Sequence, residues 1–348
     1  MPSRNILITG ASGYLGGTVV AQLSGANLPS HGKIFALVRN DSQAKAVKTY
    51  GLEAITFDPY DKIAVEENII RHQISIVYWL IDASSSAAQQ HFIGALSKLK
   101  QETGQSVHFL HTSGAKIFSG LAGTPTDRAV LDSDSDLHAI QKGQHAPYAL
   151  LQKAVDANND VIKLAEAQGV QSYIFVPCIV YGKGRGFGNP ISIQTVAIVK
   201  AAVASKRVYR VDSDHPIWPV SHVDDTAALY LDILRKILAE ENVESGPNGY
   251  YLAASGNVAW DDIYDAFAVS LVKRGIIEDS LVTLADDAAL EKMAKGLGSP
   301  KEFVPVQLGG NCTFTAKHGE SVGWSPKFSS NHILETADEE VELILQHL

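Results

Sequence analysis

Three evenly spaced glycines near the start of the chain constrain the fold more than any other feature. Gly10, Gly13 and Gly16 follow the apolar segment 5–9 and open the amphipathic segment 15–23. A strand, a glycine turn and a helix in this order let backbone N–H groups approach a diphosphate closely, and the helix N-terminus adds positive potential. The pattern therefore predicts a dinucleotide-binding βαβ unit at the start of the chain.

The first half of the chain alternates short apolar runs with helical segments, which is typical of a parallel sheet covered on both faces. Beyond residue 182 the strands are shorter and helices dominate. We expect an α/β fold, with a Rossmann-type doubly wound parallel sheet and a smaller α/β C-terminal substrate lobe. The nucleotide-binding domain is predicted at 1–182, with 208–240 packing back onto it, and the substrate lobe at 183–207 and 241–348.

The individual elements follow from the same patterns. Strands are predicted at 5–9, 33–38, 53–57, 74–81, 106–111, 171–180, 208–211 and 249–254. Helices are predicted at 15–23, 191–205, 224–238, 260–273, 279–297 and 333–348. These assignments rest on apolar periodicity and on flanking turn residues.

Composition excludes several classes of protein. The formal net charge of −9 argues against a nucleic-acid partner, which favours a basic surface. No apolar run is long enough to cross a membrane, and residues 1–4 lead into the first strand without a signal peptide, so we expect a cytoplasmic protein with no membrane partner. Cys178 lies in an apolar run and is expected to be buried and inert. His108 and His111 face opposite sides of a strand, so no metal site is predicted.

Four segments in the expected order resemble the extended short-chain dehydrogenase/reductase family and its NAD(P)-dependent epimerase/dehydratase relatives. They are T-G-A-S-G-Y-L-G at 9–16, F-D at 57–58, V-P-C-I-V-Y-G at 176–182, with Val176 where arginine is common, and P-V-S-H-V-D-D at 219–225. The resemblance covers most of the chain and is weakest after about residue 279. It implies cofactor contacts from Gly10, Ser12, Gly13, Tyr14, Leu15, Gly16, Arg39, Asp58, Ile81, Asp82, Ala83, Pro177 and Ile179.

The choice between the two nicotinamide dinucleotides depends on the end of the second strand. NAD enzymes usually carry an acid there, whereas an arginine accommodates the 2′-phosphate of NADP. Arg39 occupies this position, and its guanidinium can form two parallel hydrogen bonds with a phosphate. We expect NADP as the cofactor, with NAD as the open alternative because Asp41 follows closely.

The resemblance also implies a proton relay. The family places a serine or threonine at the end of the fifth strand, and a Tyr-x-x-x-Lys motif on the following helix. Ser113 occupies the first position, with Thr112 as a neighbour able to substitute. Tyr148 and Lys153 are the tyrosine and lysine candidates. If Tyr148 is the acid/base, its replacement by phenylalanine is expected to reduce turnover at least roughly a hundredfold.

The spacing of this relay departs from the family. Gln152 stands four residues after Tyr148, and Lys153 stands five residues after it, which on a regular helix is about 140° away. Three outcomes are open. A one-residue bulge realigns Lys153, Gln152 replaces the lysine without its charge, or Tyr148 is an ordinary aromatic at a helix start and the relay is absent. Lys116, three residues after Ser113, is interpreted as a solvated loop lysine, with an approach to the active site from that loop as the open alternative.

Other segments are assigned to the surroundings of the site. The glycine-rich loop at 182–188 is expected to control substrate access, and the polar segment 124–144 to form a flap. Asp224 is expected to cap the helix that follows it, with Trp218 and His222 bordering the pocket.

These expectations combine into an NADP-dependent oxidoreductase that reduces a carbonyl group of a small organic molecule. Two alternatives stay open: a redox-neutral epimerase or dehydratase of the sugar-nucleotide type with tightly held NAD(P), and a non-catalytic NADP-sensing regulatory protein. A homodimer fits the family and the general preference for two-fold assemblies, although no residue identifies its interface.

Overall fold

A computed structural model describes residues 4–348. Residues 1–3, which open the predicted nucleotide-binding domain, lie outside the described part. The strands are β1 (Asn5–Ile8), β2 (Ile34–Leu37), β3 (Glu53–Ile55), β4 (Ile74–Trp79), β5 (His108–Thr112), β6 (Val130–Leu131), β7 (Gln171–Pro177), β8 (Ile179–Tyr181), β9 (Tyr209–Arg210), β10 (Ile217–His222), β11 (Tyr250–Ala253), β12 (Gly256–Ala259), β13 (Thr283–Leu284) and β14 (Phe314–Thr315).

The helices are interleaved with these strands. They are α1 (Tyr14–Gln22), α2 (Asp41–Thr49), α3 (Lys62–Arg71), α4 (Gln89–Thr103), α5 (Leu137–Lys142), α6 (Ala149–Ala167), α7 (Gln194–Ser205), α8 (Val223–Leu238), α9 (Trp260–Lys273), α10 (Asp287–Leu297), α11 (Val304–Leu308), α12 (His318–Ser321), α13 (His332–Glu335) and α14 (Ala337–Leu345).

Seven parallel strands form the central sheet in the order β11-β7-β5-β4-β1-β2-β3. One face carries a core that includes Val77, Phe109 and Ile174, and the opposite face carries Tyr78, Leu110 and Phe175. Alternate residues of each strand therefore enter opposite cores, as a sheet covered by helices on both faces requires. This architecture confirms the predicted Rossmann-type α/β fold.

The segment predicted as one strand at 171–180 is two strands in two sheets. β7 ends at Pro177 in the central sheet, whereas β8 pairs with β10 in a separate three-stranded sheet. Between them the Cys178 thiol donates a hydrogen bond to the carbonyl of Ala253 at 3.0 Å. The chain leaves the central sheet at this point, and the resulting gap at the sheet edge borders the cavity described below.

Two C-terminal helices were predicted too long. The segment 279–297 begins with β13, and the helix starts only at Asp287, where Asp286 caps it by accepting from the backbone N–H of Ala289. The segment 333–348 divides at Thr336 into α13 and α14. The Asp286 carboxylate sets the N-terminal boundary of α10, and a capping carboxylate is the usual signal for a helix start.

The predicted flap at 124–144 is packed structure. β6 pairs with β14, and the buried Asp132 accepts hydrogen bonds from the backbone N–H groups of Leu252, Lys317 and His318. The segment therefore anchors the C-terminal part of the chain. Among residues 4–348, no helix is long and apolar enough to cross a membrane, and no metal-binding group of side chains is found.

Candidate active site

The glycine turn between β1 and α1 has no space for side chains at two of its glycines. Gly10 has a φ of +65°, which favours glycine, and its carbonyl accepts a hydrogen bond from the N–H of Gly13 at 2.8 Å. A Cβ on Gly16 would lie 2.3 Å from that same carbonyl oxygen. The backbone of α1 thus presses against the end of β1, and its free N–H groups are available to a diphosphate.

A cavity of about 320 Å³ opens beside this turn at the carboxyl edge of the sheet. Six of the predicted cofactor residues line it: Gly10, Gly13, Tyr14, Leu15, Gly16 and Pro177. Most of the remaining wall comes from the end of β5 and the segment after it, from the junction of β7 and β8, and from the start of α7, and Leu80, Asn189 and Trp218 complete it. The carboxyl edge of a parallel sheet is where ligands bind in open α/β folds.

The other predicted cofactor residues lie outside this lining. The Ser12 hydroxyl accepts from Gln43 Nε2 at 3.1 Å, and the Asp58 carboxylate accepts from the N–H of Tyr60. Asp82 accepts from the N–H and the hydroxyl of Ser84.

Of the remaining predicted contacts, Ile179 is buried in β8, and Ala83 is partly buried beside Asp82. Ile81 is exposed in the loop after β4, and Arg39 is exposed directly after β2.

Ser113 enters the cavity with a free hydroxyl. Its backbone N–H donates to the carbonyl of Phe175 at 2.8 Å, which fixes the residue beside β7. Its buried Oγ has no hydrogen-bond partner among residues 4–348. The neighbouring Thr112 also lines the cavity, but its hydroxyl is bonded to the hydroxyl of Tyr230 at 2.8 Å. A buried hydroxyl without a partner is costly, so Ser113 Oγ is suited to bonding a ligand.

Tyr148 and Lys153 do not line this cavity. Tyr148 has an extended backbone before α6, and its ring packs on Phe303 at a centroid distance of 5.8 Å. Lys153 is exposed. The N–H of Gln152 donates to the carbonyl of Tyr148 at 3.0 Å, as in a regular helix, so the bulge that would realign Lys153 is absent from α6.

Gln152 does not take the place of the lysine either. Its side-chain oxygen accepts from the N–H of Ala146, and its Nε2 donates to Asp156. The side chain therefore braces the first turn of α6. The roles assigned to Tyr148 and Lys153 stay predictions that substitution has to test.

The favoured interpretation of Lys116 as a solvated loop lysine is wrong, and its alternative, an approach to the site, agrees with the structure. Lys116 is half-buried in the cavity wall rather than solvated in a loop. Its Nζ lies 4.0 Å from the ring centroid of Trp218 and donates to the carbonyl of Gly309 at 3.3 Å. Burial lowers the pKa of Lys116 to about 7, and the electrostatic effect of Cys312 and Asp212 opposes part of that shift. The sequence indicates that Lys116 follows β5, but it does not indicate that the Trp218 ring lies beside the ammonium.

The glycine-rich loop after β8 packs directly on the glycine turn. Gly188 is in contact with the carbonyl of Ser12, and the N–H of Asn189 donates to that carbonyl at 3.0 Å. Gly186 lies so close to Gly17 that a Cβ on Gly186 would be 2.5 Å from the Cα of Gly17. The loop is thus fixed against the glycine turn, and Asn189, which follows it, lines the cavity.

The H-V-D-D segment at 222–225 has structural roles, and the prediction that Asp224 caps the following helix is wrong. His222, not Asp224, caps α8, because its Nδ1 accepts from the N–H of Asp224 at 3.2 Å. The Asp224 carboxylate binds the guanidinium of Arg185 in the glycine-rich loop. Trp218 borders the cavity as expected, whereas His222 is not part of its lining.

Comparison with known proteins identifies the family and the fold. The model of the NAD-dependent epimerase/dehydratase family matches residues 6–246. The chain is 21% identical over 322 residues to the oxidase ucsJ of Acremonium sp, covering 84% of this chain and 86% of that protein.

Solved structures share the fold at low sequence identity. The dTDP-glucose 4,6-dehydratase DesIV from Streptomyces venezuelae, with NAD and TYD bound, aligns with a TM-score of 0.66 at 12% identity, over 98% of this chain and 97% of that chain. The UDP-glucose 4-epimerase of Thermotoga maritima aligns with a TM-score of 0.63 at 14% identity, over 99% of both chains.

Proposed function

Because the chain belongs to the NAD-dependent epimerase/dehydratase family, we propose that it is an NADP-dependent oxidoreductase that reduces a carbonyl group of a small organic molecule. One observation carries the proposal. The glycine turn, with no space for a Cβ at Gly16, opens into a cavity that also contains the unpartnered hydroxyl of Ser113. A dinucleotide held at the turn would place its reactive ring near that hydroxyl.

The residues of the site fit such a cofactor. The N–H groups at the start of α1 would bind the diphosphate, and Arg39 after β2 would bind the 2′-phosphate. When bound, the reduced dinucleotide supplies the hydride that adds to the carbonyl carbon of the substrate. Ser113 Oγ–H donates to the carbonyl oxygen and so stabilises the negative charge that develops there.

The rest of the cavity favours a small substrate with apolar parts. Leu15, Val180 and Trp218 form much of the wall, and Lys116 is the single cationic side chain in the lining. The diphosphate of a sugar nucleotide carries at least two negative charges and is usually bound by several cations or N–H groups. The whole cavity, which the reactive ring of a dinucleotide would share with the substrate, has a volume of about 320 Å³, at the lower end of small-molecule pockets.

A redox-neutral epimerase or dehydratase is the second candidate, because the family match and the aligned epimerase and dehydratase structures favour it. In that reaction the hydride returns to the substrate, so the cofactor is not consumed. Net oxidation of NADPH separates the two functions.

The test uses ligand-free protein and a panel of small aldehydes and ketones, with NADPH absorbance as the signal. Continuous oxidation of NADPH that depends on one of these carbonyl compounds is expected. Tight NADPH binding without oxidation on the panel, together with conversion of UDP-glucose, would replace the reductase by the second candidate. Tighter binding of NADH than NADPH would overturn the cofactor preference.

A further inference from the structure

Few side chains in the cavity wall are able to exchange a proton near neutral pH. The Tyr14 hydroxyl donates to the carbonyl of Gly182 at 2.6 Å, and burial raises its pKa well above the usual value. The Cys178 thiol donates to the carbonyl of Ala253, and burial raises its pKa in the same way. Both groups therefore stay protonated and engaged. Of the titratable side chains that line the cavity, Lys116 remains, together with the unpartnered hydroxyl of Ser113.

Lys116 is held in one orientation by contacts from distant segments. Its Nζ lies over the Trp218 ring at 4.0 Å and 5.7 Å from the ring centroid of Trp260. The carbonyl that accepts its hydrogen bond belongs to Gly309, where a Cβ would lie 2.3 Å from the Asp212 carboxylate. One N–H of the ammonium is bonded to protein in this arrangement, so its other polar hydrogens have no hydrogen-bond partner among residues 4–348, and the residue lines the cavity.

The surroundings of Lys116 favour reversible loss of its proton. The titratable groups that face it are the Cys312 thiol, whose pKa burial raises to about 12, and the Asp212 carboxylate. Asp212 already accepts a hydrogen bond from the N–H of Gly310 at 2.8 Å. Burial acts against the ammonium and lowers the pKa of Lys116 to about 7, so both protonation states are accessible near neutral pH.

We propose that Lys116 Nζ is the proton donor and acceptor of this site, in the role that the sequence assigned to Tyr148. The inference rests on the proposed function, because it concerns the same carbonyl reduction. In that step the hydride forms a C–H bond, and the carbonyl π electrons move to oxygen. Lys116 Nζ–H breaks, its proton binds that oxygen, and a neutral amine remains. In the reverse direction the neutral amine takes the proton of the alcohol.

The pH dependence follows from this assignment. Reduction requires the ammonium, so kcat for reduction falls as the pH rises through the pKa of Lys116, well below the usual lysine value of about 10.4. Oxidation of the matching alcohol requires the amine, so its kcat rises through the same pH range. Lys116→Arg keeps the charge but does not release a proton in this range, and it removes the inflection.

The test compares four proteins with NADPH and benzaldehyde, or with the best carbonyl compound of the panel above. These are the wild type, Lys116→Met, Lys116→Arg and the matched control Lys142→Met, since Lys142 is exposed on α5. We expect kcat to fall at least about 100-fold in both Lys116 variants, with NADPH affinity retained and with Lys142→Met within about 2-fold of the wild type. Full activity in Lys116→Arg would show a purely electrostatic role and overturn the inference.

Tyr148→Phe distinguishes the two assignments directly. A fall in kcat of about 100-fold in Tyr148→Phe, with the kcat of Lys116→Met near the wild-type value, would assign the proton transfer to Tyr148 and overturn the inference. If the wild type binds NADPH but oxidises it with none of the carbonyl compounds, the proposed function itself fails and the inference fails with it. Selective [13C]-methylation of the lysines, followed by NMR titration, gives a readout without turnover: a Lys116 pKa above about 10 would contradict the assignment.

Discussion

The carboxylate of Asp225 accepts a hydrogen bond from the backbone N–H of Lys327 at 3.0 Å. Its second oxygen accepts from the N–H of Phe328, also at 3.0 Å, and its own backbone carbonyl accepts from the indole N–H of Trp324 at 2.8 Å. Asp225 is 2% exposed. One buried acid of the H-V-D-D segment therefore holds a turn located about a hundred residues later against the start of α8.

Replacing Asp225 by asparagine is expected to destabilise the fold by about 1–3 kcal/mol. Asparagine has one side-chain acceptor, so the N–H of Lys327 or that of Phe328 loses its hydrogen bond to the buried side chain. Urea denaturation measures the free energy of unfolding. The matched control is Asp286→Asn, because Asp286 caps α10 and asparagine is an equally good cap, so little change is expected. Equal stability of the two variants would contradict the structural role of Asp225.

His111 makes the fold sensitive to acid. Burial lowers its pKa to about 4, and neither ring nitrogen has a hydrogen-bond partner in the part of the chain that the structure describes. Because the folded pKa lies below the unfolded value of about 6.5, the contribution of His111 to stability is present above that pH and is lost as the pH falls towards 4.

Removing this histidine should weaken the pH dependence. Between neutral pH and about pH 5, protonation of His111 on unfolding lowers the free energy of unfolding by about 2 kcal/mol. We expect the difference in unfolding free energy between pH 7 and about pH 5 to be smaller by roughly that amount in His111→Leu. An unchanged difference would show that His111 does not titrate on unfolding. Burial also lowers the pKa of His108 to about 3, so part of the pH dependence of stability stays in both the wild type and His111→Leu.

The cofactor preference is tested at Arg39, which is exposed directly after β2. Loss of charge-assisted hydrogen bonds to the 2′-phosphate costs about 1.5–3 kcal/mol. Arg39→Gln is therefore expected to weaken NADPH binding at least about 10-fold and to leave NADH binding nearly unchanged. Calorimetric titration of both dinucleotides provides the comparison. A parallel loss for the two would mean that Arg39 does not recognise the extra phosphate.

The sheet could be predicted from the sequence because its strands are continuous apolar runs between turn signals. The glycine turn was equally readable, since a tight approach such as that of Gly16 to Gly10 excludes side chains. Residues 217–222 were not predicted as a strand, because Pro219 interrupts the pattern, yet they form the middle strand of the second sheet.

The centre of the candidate site could not be predicted in the same way. A tyrosine and a lysine share a helix face only if both lie on the helix, but Tyr148 follows Pro147 and stays extended before α6 begins. Its packing on Phe303 joins residues far apart in the chain. The environment of Lys116 likewise comes from Trp218 and Gly309, which only the folded chain brings together.

The glycine turn offers a matched pair of substitutions. Gly16→Ala places a Cβ 2.3 Å from the carbonyl oxygen of Gly10, so α1 has to move away from the end of β1 and from the diphosphate position. Gly25→Ala places its Cβ in open space after α1. Thermal melting of both variants separates loss of folding from loss of binding.

Calorimetric titration of NADPH into ligand-free wild type, Gly16→Ala and Gly25→Ala tests the binding of a dinucleotide at this turn most directly. We predict saturable binding at one site in the wild type and in Gly25→Ala. In a folded Gly16→Ala protein we predict affinity at least about 10-fold weaker, a difference of about 1.4 kcal/mol. Absence of binding of both NADPH and NADH to the wild type, or equal affinity in all three proteins, would contradict the account.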